Sequence, residues 1–224
     1  MASSKGEAVG LGIAAAAAVA GVARAQTVDD LLAGIRHEDP AVRTEAWLGA
    51  GVVGAAAVAP LAGVMGDGDL EVARAAKRGL WQVVRYTGRP GADAARQAVV
   101  AEMVALLVDG QPEDVRREVL WMLSEIAGDD AVGPVAALLS HEVLREDARM
   151  VLERIPGDAS LAALQAGLDA APDDFKVHMA QSLRARGVEV PGLPCQKLVP
   201  TGQTNIKPYR GEDAAASEAK KVGE

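Results

Sequence analysis

The chain has 224 residues, half of them apolar, yet only six are aromatic: one Phe, two Tyr and three Trp. A formal net charge of −8 weighs against nucleic acid or an anionic membrane surface as partner, and 24% charged residues weigh against a multispan membrane protein. A single cysteine excludes an intrachain disulfide framework and any cysteine-cluster metal site.

Small apolar residues with few aromatics suit closely packed helices better than β-sandwiches, whose strands favour β-branched and aromatic types. The charge is unevenly spread. Residues 26–188 carry a net −9, whereas residues 189–224 are neutral, so the acidity belongs to the part expected to fold.

Residues 1–25 read as an export signal. Lys5 precedes a charge-free run from Ala8 to Ala23, and Ala23-Arg24-Ala25 supplies a small-x-small cleavage pattern. This run of sixteen residues, with Gly10, Gly12 and Gly21 in it, is too short and too weakly apolar for a membrane span. The expected location is periplasmic or secreted, with no stable membrane span after processing. If residues 1–25 are retained, they become an alanine-rich capping helix of a cytoplasmic protein. Thr27 is a good N-cap for the next helix, with Asp30 at its third position.

From residue 26 to 188 one pattern recurs five times: an apolar helix, a polar turn, a second helix. The first unit runs from Leu31 to Ile35, turns through His37-Glu38-Asp39-Pro40-Ala41-Val42-Arg43 and continues to about Val53. The second starts at Pro60-Leu61, turns at Gly66-Asp67-Gly68-Asp69 and resumes at Val72. The third has Met103 to Val108, then Pro112 to Arg116; the fourth has Val135 to Leu139, then His141 to Arg145. The fifth has Leu161 to Leu168, then Pro172 to Lys176.

The anchors Val42, Val72, Val115, Leu144 and Phe175 are 30, 43, 29 and 31 residues apart. Four residues past each stand Ala46, Ala76, Val119, Ala148 and Met179; eight past stand Ala50, Leu80, Leu123, Leu152 and Leu183. Positions at 0, +4 and +8 share one helical face, so every second helix is expected to bury the same stripe. A two-helix unit cannot bury its own apolar surface, and stacking into a solenoid resolves this. Asp39 is placed to cap the second helix and Pro40 suits its first turn. Gly128 and Gly187 read as stop signals. The long second interval places extra residues near Tyr86 to Asp93: either a loop on a binding face or a longer helix pair with a neutral loop.

The Asp39-Pro40-x-Val42-Arg43 turn, the period and the small-residue stripe resemble HEAT-like repeats, specifically the short bacterial type also found in phycobilin lyases. Arg43, Arg116 and Arg145 match that family's turn arginine, Lys176 is a near match, and the second repeat departs with Ala73 followed by Arg74. The resemblance covers residues 27–187. It implies an all-α, armadillo-like α-solenoid of about five helix pairs, and a binding scaffold rather than one particular chemistry.

Three histidines are present: His37, His141 and His178. Repeated His-Glu pairs hold two irons in deoxyhypusine hydroxylase, another protein of HEAT-like type. Here His37-Glu38 and His141-Glu142 lie in turns three repeats apart, too far to close one metal shell. No nucleophile elbow, phosphate loop or dinucleotide fingerprint occurs. No catalytic residue, metal or cofactor is therefore expected. Cys195 stands alone outside the repeats. Residues 189–224 lose the period, and Pro191, Pro194, Pro200 and Pro208 preclude regular helix there, which predicts an extended tail.

The informative constellation is a set of tryptophans and cations. Trp47, Trp81 and Trp121 fall in consecutive second helices, about 140°, 180° and 240° around from their anchors. Arg74, Lys77, Arg78 and Arg85 share the face of Trp81, and Arg117 neighbours Trp121. Second helices line the concave side of such solenoids. Trp and Arg dominate binding hot spots, so this strip is the expected contact surface for a protein or peptide partner. The competing expectation is that each Trp packs on the adjacent repeat while the cations pair with acids such as Glu71 or Glu118. Two other functions follow from the resemblance: DNA binding or base excision through the basic face of repeat two, and bilin or other small-ligand binding. The oligomeric state is open.

Overall fold

Each second helix buries the stripe at 0, +4 and +8. In the computed structural model, which describes residues 27–66 and 68–195, fourteen of those fifteen positions are buried. The exception is Val42, half-buried in the first repeat, which has no described repeat before it. The helices are α1 (Val28–Ile35), α2 (Pro40–Val53), α3 (Val58–Met65), α4 (Leu70–Thr87) and α5 (Asp93–Ala105), followed by α6 (Glu113–Ile126), α7 (Val132–Ala137), α8 (Arg145–Arg154), α9 (Asp158–Ala170) and α10 (Asp173–Ala185). No strand occurs among the described residues. The fold is an all-α, HEAT/armadillo-like solenoid of five helix pairs, the odd-numbered helices forming one layer and the even-numbered ones the other.

Local chemistry explains the boundaries. Thr27 and Asp30 form a reciprocal capping box at the start of α1. Asp39 accepts from Ala41 N–H at 2.8 Å with Pro40 in the first turn of α2, and Asp69 caps α4 through Glu71 and Val72 N–H. The turn arginine Arg43 donates to the carbonyls of His37 and Glu38, both at 2.8 Å, and braces the α1–α2 turn. The α10 stop is a full Schellman motif: Val188 N–H reaches Leu183 C=O and Gly187 N–H reaches Arg184 C=O, both at 2.9 Å, with Gly187 at φ +81°.

The residues from Pro40 to Met65 are long and apolar enough to cross a membrane by length and hydropathy. They are two helices joined by a short 3-10 turn. Gly54, at φ +68°, breaks the run, and both α2 and α3 pack against α4. The extra residues of the second interval lengthen helices: α4 has 18 residues and α5 has 13, against eight in α1 and in α3. Only Gly88 to Ala92 are non-helical there.

The last helix is tied to its neighbours by Arg186. Its guanidinium donates to the carbonyls of Ile155 at 2.7 Å and Gly157 at 2.9 Å, and to the Ser160 hydroxyl at 3.0 Å. These contacts satisfy groups at the C-terminal end of α8. After Gly187 the chain turns back along α10, where Arg184 donates to the carbonyls of Val190 and Leu193. The expected signal at 1–25 and the tail beyond Cys195 lie outside the described residues.

Candidate functional site

Burial of Val72, Ala75, Ala76, Gly79, Leu80, Val83, Val84 and Thr87 orients α4 and leaves its opposite side outward. Arg74, Lys77, Arg78, Trp81 and Arg85 follow one another at helical spacing along that side. With Trp47 from α2 they line a groove of about 470 Å³. Trp47 and Trp81 are half-buried, their inner edges against the core.

The donors of this groove fall into three groups. Lys77 and Trp81 are engaged by the next repeat: Lys77 Nζ stands 2.6 Å from Glu118 Oε2, and Trp81 Nε1 donates to Glu118 Oε1 at 2.7 Å. Glu118 is buried in α6, so these two donors compensate a carboxylate removed from water. Arg74 pairs with Glu71 at 2.8 Å, but both side chains are more than half exposed, so the pair holds the arginine loosely. Arg78 and Arg85 meet no carboxylate among the described residues. Their guanidinium carbons each sit 5.9 Å from an indole centroid, Arg78 over Trp47 and Arg85 over Trp81.

One repeat further the same geometry recurs without a groove of this kind. Trp121 Nε1 donates to Asp147 Oδ1 at 2.7 Å, and Arg117 Nε to Asp147 Oδ2 at 3.2 Å. Glu118 and Asp147 each stand three residues past their anchors, Val115 and Leu144. Of the eight predicted site residues, six meet in one groove. Arg117 and Trp121 lie at the α6–α8 contact instead, both held by Asp147. Asp147 as the acceptor was missed by sequence reasoning; its place at the same register as Glu118 is the signal that marks it.

Toward the C-terminus the second-helix face is satisfied internally. Arg149 bonds Glu146 at 2.7 Å and Glu153 at 3.0 Å, Ser182 donates to Glu153 at 2.6 Å, and His178 pairs with Glu146. Arg145 donates to Asp174 at 2.7 Å and lies over the Phe175 ring. That hydrogen bond holds the Asp174 carboxyl below its ordinary value of 3.8, and Lys176 does the same for Asp173. Among the described residues of this face, the basic-aromatic groove is thus the stretch where cations are left over.

The histidines take structural positions. His37 Nδ1 accepts from Asp39 N–H at 3.0 Å within the turn, and His141 Nε2 lies 3.8 Å from Glu113. No group of three or more metal-ligating side chains occurs among the described residues. Cys195 is exposed, with Sγ 3.8 Å from Gln181 Oε1.

No family model matches the sequence, and no curated protein matches it. Among solved structures, a designed armadillo repeat protein in complex with the peptide (KR)4 is 17% identical, with a TM-score of 0.40 over 70% of this chain and 81% of that one. An engineered protein is 20% identical, with a TM-score of 0.39 over 70% of this chain and 78% of that one.

Proposed function

We propose that this chain is a non-enzymatic interaction scaffold that binds a protein or peptide partner on its concave, second-helix face. The observation that carries the reading is the groove of Trp47, Arg74, Lys77, Arg78, Trp81 and Arg85, with Arg78 and Arg85 uncompensated. Indole faces supply large contact area at low entropic cost, and arginines supply directional charge; together they form the centre of many binding surfaces.

A displayed library of random peptides, panned on the full chain, tests it. Peptides enriched on the wild type are expected to lose affinity for the Trp47→Ala and the Arg78→Glu/Arg85→Glu variants. Circular dichroism melting shows whether each variant is still folded. Enriched peptides that bind both folded variants as tightly as the wild type place recognition elsewhere and remove the groove from the function.

The second reading, DNA binding or base excision through the same basic-aromatic face of repeat two, draws on the same four cations and two indoles. The net charge of −8 opposes it, since the groove is a small positive patch on an acidic chain.

A further inference from the structure

We infer that the groove takes a short acidic peptide in the polyproline II conformation, with carboxylates at i and i+3. The inference rests on the proposal that the groove is the partner-binding surface. It names the chemistry of the occupant.

Charge comes first. The chain carries −8 overall, yet the groove gathers four cations against Glu71 and the buried Glu118. Lys77 is already matched to Glu118 and Arg74 to Glu71. Arg78 and Arg85 remain, exposed and held only against indoles. A ligand carrying two negative charges complements them, and a basic or neutral segment leaves them unmatched. A carboxylate accepts a bidentate pair of hydrogen bonds from each guanidinium.

Spacing and segment length together set the ligand's conformation: an α-helix would match at i and i+7, but an isolated helix that short is marginal in water. Arg78 and Arg85 lie seven residues apart on one helix, an axial rise of about 10.5 Å. In a β-strand, side chains on one face recur every second residue, about 6.6 Å, which is too short. A polyproline II segment repeats its face every three residues at a rise of about 3.1 Å each, so its i and i+3 side chains stand about 9.3 Å apart. The flexible arginine stems cover the difference. Trp81 lies between the two arginines on the same side of α4, under the residues between the two acids. Proline rings packing on an indole are the usual way aromatic grooves hold such segments.

Length follows from the strip itself. From Arg74 to Arg85 it spans about 16 Å, which a polyproline II segment of about six or seven residues covers.

The test is fluorescence anisotropy of the full chain with labelled Glu-Pro-Pro-Glu-Pro-Pro-Glu. Comparison ligands are its Gln-for-Glu analogue, a clustered isomer Glu-Glu-Glu-Pro-Pro-Pro-Pro, and a ten-residue oligothymidylate. Saturable binding to the spaced acidic peptide is expected, weakened at least about tenfold in Arg78→Glu/Arg85→Glu. Weaker binding of the clustered and Gln peptides, and loss with rising salt, are expected as well.

Equal affinity for the Gln analogue, for the clustered isomer or for the double variant overturns the inference. So does absence of saturable binding, or tighter binding of the oligothymidylate. The groove as a partner site fails separately: library-selected peptides of any composition would then be indifferent to Trp47→Ala and to the double variant.

Discussion

Trp81 on α4 donates its indole N–H to Glu118 on α6, 37 residues along the chain, at 2.7 Å. One repeat later Trp121 on α6 does the same to Asp147 on α8, 26 residues along, also at 2.7 Å. Each acid also takes a cation from the Trp-bearing helix, Lys77 and Arg117 respectively. A rung of Trp, cation and carboxylate thus joins consecutive second helices. It also explains why these tryptophans serve two ends: the N–H edge ties the repeats together, while in repeat two the remaining indole surface faces the groove.

Glu118→Ala is expected to destabilise the fold by about 1–3 kcal/mol, since it leaves the Trp81 N–H and the Lys77 ammonium without their acceptor. Lys77 is 44% exposed and can recover solvation, which favours the lower end of that range. Glu118→Gln keeps an acceptor for Trp81 and should lose less. Chemical denaturation of the three proteins checks the order; a Glu118→Ala midpoint equal to wild type would show that the rung contributes nothing to stability.

Gly51→Ala should destabilise despite alanine's better helix propensity. A Cβ at Gly51 would sit 2.7 Å from Tyr86 Cβ and 3.1 Å from the Gln82 carbonyl oxygen, neither of which is the end of a flexible side chain. Helices α2 and α4 must then separate, at a cost of about 1–3 kcal/mol, against a propensity gain of about 1 kcal/mol. Because α4 carries the groove, peptide affinity should fall together with melting temperature. A gain in melting temperature would refute the close-packing account.

Acid should loosen the contact between α8 and α10. Hydrogen bonds from Arg145 to Asp174 and from Lys176 to Asp173 hold both carboxyls below their ordinary value of 3.8. Groups with a depressed folded-state pKa favour the native state above the ordinary value, and that contribution disappears as pH falls below it. Both carboxyls are solvent-exposed, so the effect is small and should shrink with added salt. Carboxyl NMR titration should find Asp174 below 3.8, with Arg145→Gln raising it from its wild-type value. An unchanged titration in the variant would remove Arg145 as the cause.

We propose export, on the strength of Lys5, the charge-free run from Ala8 to Ala23 and the Ala23-Arg24-Ala25 pattern. N-terminal sequencing of protein from its native host should read Gln26-Thr27-Val28. A start at Met1 or Ala2 would place the protein in the cytoplasm and make a salt-titrated DNA-binding assay the next measurement.

The repeat architecture was legible in the sequence because it follows from short-range rules. A helix with residues such as Val115, Val119 and Leu123 on one side must bury that side whatever surrounds it, and Asp39-Pro40 starts a helix through contacts within one turn. The face carrying Arg74, Lys77, Arg78, Trp81 and Arg85 was readable for the same reason, since helical spacing alone sets it.

Pairing of these side chains was legible only as one of two competing expectations, the one that named Glu71 and Glu118 as acceptors, and the structure decides for it at Arg74, Lys77 and Trp81. That Glu118 takes both Lys77 and Trp81, that Asp147 takes Arg117 and Trp121, and that Arg78 and Arg85 are left without an acid depend on how one second helix is offset and rotated against the next. That offset is set by side-chain packing between residues about 30 positions apart, which no periodicity within a helix encodes. The sequence by itself determined the helices, their buried stripe and the basic-aromatic face; only the tertiary structure decided which of those cations were matched inside the protein and which were left facing outward.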